Sequence, residues 1–231
     1  MIKYTNEDCM IGLARYPDKH FDLCICDPPY FDGPNKLGYY GKVMSKTKVK
    51  RQSYNIIGKW DLPDESYYKE LCRVSKNQII WGINYYNFTD VPVGRIVWDK
   101  RKNDACTFSD GEIASCSKIE TVRFFRHRWD GFLQGDMKNK ETKYHPTQKP
   151  VALYKWLLSN YAKQGDKILD THVGSASSLI ACHDMGFDAV GFELDADYYK
   201  QSKQRLDDFI RQPRLDIVID QWEQMAIGGT E

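Results

Sequence analysis

Short apolar runs alternate with helix-length amphipathic stretches along this chain, and that alternation leaves few folds open. Strand-like runs fall at residues 21–26, 78–83, 95–98, 167–169 and 189–192, each bounded by turn formers or charges. Helical stretches lie between several of them, at 65–74, 150–162, 175–185 and 195–210. Within 150–162 the side chains of Val151, Leu153, Tyr154, Leu157, Leu158 and Tyr161 form one stripe, and Pro150 is tolerated at a helix start. Asp195 supplies an acidic first turn to the last helix. Strand and helix in alternation predict an α/β chain with a mainly parallel sheet. With 231 residues, 42% hydrophobic and 28% charged, the chain has material for one substantial core and is short for two. A single domain over 1–231 is expected.

No stretch has the length and apolarity of a membrane span, and charges interrupt residues 1–14 where a signal peptide would be apolar. A cytoplasmic protein is expected. Seven cysteines include no Cys-x-x-Cys pair and leave one over if the rest paired, so reduced thiols fit. The five histidines do not complete finger-like ligand spacing, and no structural metal is expected.

A net charge of +1 hides a strong local concentration. Between Asn35 and Trp60 the chain carries Lys36, Lys42, Lys46, Lys48, Lys50, Arg51 and Lys59 with no acid, interleaved with Tyr39, Tyr40 and Tyr54. A basic aromatic loop at about 31–60 follows, in which Lys46, Lys48, Lys50 and Arg51 are candidates for phosphate contact. A solvated charged loop is the plainer alternative. Residues 118–144 mix Arg123, Arg126, His127 and Arg128 with Phe124, Phe125, Trp129 and Phe132. This segment reads as an excursion from the sheet whose arginines are candidates for guanine or phosphate contact.

Two local motifs carry chemistry. Asp27-Pro28-Pro29-Tyr30 follows directly on the run at 21–26, and the prolines make a stiff turn whose carbonyls point outward. The amino group of a nucleobase offers two hydrogens to Asp27 and a proline carbonyl, and Tyr30 offers a stacking face. A strand-end turn without chemistry is the competing reading. The second motif, at 167–178, is a strand, a small-residue turn and a helix start. Gly174 lets backbone approach a ligand there, beside the free amides of a helix N-terminus. About twenty residues on, Glu193 ends the next strand, where a carboxylate accepts from ribose hydroxyls. This order of elements narrows the ligand to a ribose-bearing cofactor.

With His145-Pro146-Thr147-Gln148-Lys149-Pro150 added, the blocks resemble the amino-methylating DNA methyltransferases. The catalytic block precedes the cofactor turn, an order similar to the β arrangement of that family. The resemblance runs from Glu7 to about Leu206 and implies a Rossmann-like S-adenosylmethionine-dependent methyltransferase fold with permuted motif order. It implies that Asp27, Pro28, Pro29 and Tyr30 grip the target base. It further implies that Asp8, Cys9, His145, Thr147, Lys149, Asp170, His172, Gly174, Ser175 and Glu193 hold S-adenosylmethionine, and that 118–144 is a small target-recognition segment.

The implied substrate is double-stranded DNA in a bacterium or phage, methylated at adenine N6, since the family's cytosine-N4 branch more often has Ser in place of Asp27. A homodimer and a cognate restriction endonuclease are compatible partners. A cytosine-N4 enzyme, an RNA adenine methyltransferase and a non-catalytic nucleic-acid-binding module remain alternatives. The family turn reads Asp-Pro-Phe-x-Gly-x-Gly, whereas Thr171, His172 and Ala176 stand here at its Pro, Phe and second Gly positions. His172 replaces an apolar ring beside the cofactor, and Ala176 is expected to fit with a helical backbone.

Overall fold

The computed structural model describes residues 1–29, 62–101, 109–130 and 133–212. In chain order they form β1 (Ile2–Asn6), α1 (Cys9–Leu13), β2 (Leu23–Cys26), α2 (Glu65–Val74), β3 (Gln78–Trp81), β4 (Arg95–Asp99), β5 (Gly111–Cys116) and β6 (Val122–Arg126). Then come β7 (Trp129–Asp130), β8 (Leu133–Gln134), α3 (Val151–Tyr161), β9 (Lys167–Asp170), α4 (Ser177–Asp184), β10 (Asp188–Glu193) and α5 (Ala196–Ile210). Every strand and helix expected from the apolar pattern is present, with ends shifted by a residue or two.

Eight strands make one sheet in the order β1-β10-β9-β2-β3-β5-β4-β6. β5 runs antiparallel to both its neighbours, and all other pairings are parallel. The segment expected to leave the sheet partly stays in it. β6 extends the edge beside β4, pairing Phe124 with Val97, while β7 and β8 pair antiparallel in a separate small sheet. An edge strand exposed on both faces has no apolar run to announce it, and its arginines are the kind of charge that edge strands carry.

Side chains on a strand alternate between faces, and β2 shows what that does here. Leu23 and Ile25 join Ile79, Trp81 and Ile96 in a core completed by Leu153 and Leu157 of α3 and Leu179 of α4. Cys24 and Cys26 face the other way, among Leu13, Tyr67, Leu71, Val74, Ile80 and Phe192 from the layer of α1 and α2. Helices therefore cover both faces, as a parallel sheet with continuously apolar strands requires. Two of the longer helices start at side-chain caps, each stabilising by about 1 kcal/mol. Asp64 accepts from the amides of Ser66 and Tyr67 at 2.9 and 3.0 Å, and Asp195 accepts from that of Tyr198 at 2.8 Å.

β2 and β9 are parallel neighbours, with Leu23 beside Ile168 and Cys24 beside Leu169. From β9 the chain moves on to β10 on one side, and from β2 it moves to β3 on the other. Where the winding reverses, the loops at the carboxyl ends diverge and leave a crevice. Among the described residues, no helix is long and apolar enough to cross a membrane.

Candidate active site

A cavity of about 600 Å³ opens along the carboxyl ends of β1, β10, β9 and β2. Asp8, Glu193, the Gly174 turn and Asp27 each follow or end one of these strands, so four sequence-distant motifs meet on its wall.

At the β2 side, Asp27 Oδ2 lies 2.5 Å from Lys149 Nζ, which is also 2.7 Å from Glu112 Oε2. Lys100 Nζ closes the row at 2.5 Å from Glu112 Oε1. Asp27 Oδ1 is buried and has no hydrogen-bond partner among the described residues. Burial pushes the Asp27 carboxyl up to about 6, against the pull of the Lys149 charge. Burial acts the same way on Glu112, but two flanking ammoniums outweigh it and bring that carboxyl down to about 2. For Lys149 burial disfavours the charge, and its two carboxylates more than offset that and hold the ammonium above its ordinary value. Lys149, expected to serve the cofactor, thus lines the cavity with its charge committed to carboxylates. The Pro28 carbonyl accepts from the Tyr86 hydroxyl at 2.8 Å, and the Pro29 carbonyl does so at 3.2 Å.

At the β9 side, Gly174 takes φ +54, a left-handed turn conformation that glycine adopts without strain. The turn packs so closely on β10 that a Cβ at Gly191 would lie 2.5 Å from Val173 Cγ2. Asp170 is not on the cavity wall. It sits beneath the turn, accepting from the His172 amide at 3.0 Å and from the Ser178 hydroxyl, and burial pushes it up to about 7. Its expected contact with the cofactor is thereby replaced by support of the loop. Ala176 also departs from expectation, with φ 64 and ψ 18 in place of a helical backbone, because the chain makes its left-handed step there before α4 begins. Such a conformation costs a residue with a Cβ about 1 kcal/mol.

His172 lines the cavity edge-on to Tyr67, with ring centroids 5.5 Å apart, and its Nδ1 lies 2.9 Å from Thr171 Oγ1. Burial lowers its pKa to about 4, so the ring is neutral and presents a flat aromatic surface. His145, brought down to about 3 by burial, packs on Tyr198 at 4.3 Å and has Thr147 Oγ1 3.1 Å from its Nδ1. Thr147 and Ser175 also line the cavity. Glu193 accepts from the Gly174 amide at 2.8 Å and the Asp195 amide at 3.0 Å, and burial raises its pKa. Each carboxylate oxygen keeps a second lone pair for a hydroxyl. Asp8 caps α1 through the Met10 amide at 2.7 Å, and the Cys9 thiol, pushed up to about 12 by burial, is a small neutral wall.

These donors and acceptors fit an adenosyl sulfonium. Asp8, Asp27 and Glu193 put carboxylates on the wall, and the ammonium of Lys149 is offset by two acids. A cationic ligand is favoured in such a site, and an adenosyl group finds ribose acceptors and flat side chains.

The remaining candidates lie elsewhere. Arg123 and Arg126 are exposed on β6, four strands or about 19 Å from β2 at the usual strand spacing. Arg126 stacks on Phe124 at 4.9 Å and reaches Asp99 at 3.6 Å, while Arg128 is half-buried after the strand. Tyr30, Lys46, Lys48, Lys50 and Arg51 lie outside the described residues. Among the described residues no cluster of three His, Cys, Asp or Glu side chains is placed to hold a metal. Sequence reasoning passed over Tyr86, Lys100 and Glu112. The available sign was an acid, Glu112, leading into the apolar Ile113-Ala114, since a charge carried into a fold needs a partner.

Fold and crevice together define a Rossmann-like methyltransferase. Residues 43–204 match the family model N6_N4_Mtase, described as DNA methylase, and the chain belongs to that family. It is 36% identical to the DNA adenine methyltransferase YhdJ of Escherichia coli (strain K12) over 241 aligned residues, covering 87% of this chain and 81% of that one. A shorter stretch of 69 residues is 38% identical to the type II methyltransferase M.HpaI of Haemophilus parainfluenzae, covering 30% of this chain and 22% of that one. Among solved structures, the M1.HpyAVI–SAM complex superposes with a TM-score of 0.55 at 19% identity, over 89% of this chain and 100% of that chain.

Proposed function

We propose that this protein transfers a methyl group from S-adenosylmethionine to the exocyclic N6 of adenine in DNA, with the base flipped out of the duplex. One observation carries the reading: the Asp27 carboxylate on the cavity wall has one oxygen held by Lys149 and the other buried without a partner among the described residues. That oxygen suits an amino N–H.

S-adenosylmethionine supplies a methyl group already activated on sulfonium, so the protein's task is orientation. Glu193 takes ribose hydroxyls, and His172 and Cys9 supply uncharged walls. Asp27 Oδ1 accepts one amine hydrogen, and the Pro28 carbonyl, with one lone pair on Tyr86, accepts the other. Drawing those hydrogens out of the ring plane localises the nitrogen lone pair, and the carboxylate stabilises the positive charge that grows there. Asp27 then takes the surplus proton, for which a pKa raised to about 6 suits it better than an ordinary aspartate. Extrusion of the base costs about a few kcal/mol, partly offset by stacking on Tyr30. Lys46, Lys48, Lys50, Arg51, Arg123, Arg126 and Arg128 are the proposed contacts to phosphate or guanine. Asp at position 27, together with the likeness to YhdJ, favours adenine over cytosine.

The test is incubation with methyl-labelled cofactor and either DNA or RNA, followed by nucleoside analysis. Label in N6-methyladenine from DNA is expected. Label in N4-methylcytosine, or in RNA alone, overturns the assignment. Asp27→Ala is expected to abolish labelling while calorimetric binding of S-adenosylmethionine persists.

A further inference from the structure

The row Lys100, Glu112, Lys149, Asp27 alternates in charge and lies almost wholly out of water. The side chains of Lys149, Asp27, Glu112 and Lys100 are 1%, 12%, 16% and 15% exposed. Isolated charges so placed would cost several kcal/mol each, so the row stands only as a unit. Four different stretches of chain supply it: the residue after β2, the residue after β4, the start of β5 and the segment before α3. β2 and β5 flank β3 from either side, and the Trp81 ring of β3 lies 5.5 Å from Lys149 Nζ. An ammonium fixed from two sides, over a ring face, can hold a carboxylate oxygen in one orientation.

We propose that Lys149, fixed in turn by Glu112 and Lys100, is the positioning residue for the catalytic carboxylate: it occupies Asp27 Oδ2 and reserves Oδ1 for the target amine. The inference rests on the reading of Asp27 as the amine acceptor. Glu112 keeps Lys149 from neutralising Asp27 outright, because the ammonium shares its charge between two acids. The pair thereby sets how readily Asp27 accepts the proton released by methyl transfer. Among the described residues, Asp170, Tyr86 and Tyr154 also lie within electrostatic reach of Asp27, and His145 senses Lys149.

Opposite substitutions should move Asp27 in opposite directions. Loss of a nearby opposite charge shifts a carboxyl by about 1–3 pH units. In protein carrying ¹³C-labelled aspartate, with the Asp27 signal assigned by its loss in Asp27→Asn, Lys149→Met should raise the Asp27 midpoint by at least about one pH unit. Glu112→Gln should lower it. This readout needs no activity, so it stands even if the wild type fails to methylate DNA, a result that would sink the proposed function by itself. In active enzyme, Glu112→Gln should lower kcat at least tenfold and displace its pH profile. KM for DNA and calorimetric affinity for S-adenosylmethionine should stay within about twofold, and Lys149→Arg should recover part of the loss seen in Lys149→Met. Midpoints unchanged, or moving the same way in both variants, overturn the inference. So does a Glu112→Gln enzyme with wild-type kcat, or one whose whole defect lies in cofactor affinity. Lys149→Arg and Glu112→Asp, which keep both charges, serve as folded controls if the first pair proves unstable.

Discussion

Asp170→Asn isolates the energetic burden of a single buried carboxyl beneath the cofactor turn. Asp170 is 2% exposed, and burial, with Asp27 and Glu193 nearby, raises its pKa from an ordinary 3.8 to about 7. In that range the native state holds a proton the unfolded chain has released, so stability falls as pH rises from about 4 to about 7 and levels off beyond. Asparagine reproduces the protonated acid: its oxygen can accept from the His172 amide, and its amide can donate to the Ser178 hydroxyl. Asp170→Asn should therefore escape the decline. Between pH 5 and pH 7 the unfolded wild-type carboxyl is ionised while the native one stays largely protonated, a difference of about 1.4 kcal/mol per pH unit, so the variant's advantage should grow by roughly 2 to 3 kcal/mol. Urea unfolding of both proteins at intervals from pH 5 to pH 8 measures this directly. Cofactor affinity should hold within severalfold, because Asp170 does not line the cavity. A stability difference that stays flat across the series, or an Asp170→Asn protein less stable at pH 8 than wild type, refutes the reasoning.

Tyr86→Phe removes the donor that fixes the Pro28 carbonyl, a loss of about 1 kcal/mol. Turnover should drop about fivefold with cofactor affinity unchanged, and wild-type single-turnover rates would show that Tyr86 does not set the acceptor. In Glu193→Gln the new amide must face the N–H of Gly174 or Asp195, so donor meets donor. Calorimetry should show at least tenfold weaker binding of S-adenosylmethionine, on the order of 1.4 kcal/mol, and unaltered affinity would remove Glu193 from the site. Ala176→Gly relieves a left-handed backbone while loosening the unfolded chain, terms of about 1–2 and 0.4–1 kcal/mol. Thermal unfolding should show a neutral to modestly stabilised protein, and a loss above about 1 kcal/mol would contradict the strain argument.

What the sequence disclosed and what it withheld follow one physical division. β2 and β9 were legible because both their faces are buried, which forces continuous apolar runs, and α3 was legible from its apolar stripe. Glu193 and Asp27 were legible as acids ending such strands. β1, β5 and β6 were not, since β1 and β6 are edge strands exposed to water and β5 begins with the polar stretch that serves the site. Lys149 was found as a residue of the site but its ion pairs were not, because only strand order brings Glu112 and Asp27 to either side of it. Ala176 misled for a local reason: a residue name does not reveal a left-handed backbone.

The pairing of Ile2 with Ala189 has a consequence for how the protein is made. β1 leaves the ribosome well before β10, yet among the described residues β10 alone is its partner in the sheet. At elongation rates of roughly 5–20 residues per second, β1 waits about 10–40 s for that partner. During this interval Asp8 and Cys9 have no cofactor wall to complete, and Asp27 has neither Lys149 nor the β9 turn beside it. The nascent chain therefore carries the proposed amine clamp without the means to use it, and competence arrives in one step once β10 has been made.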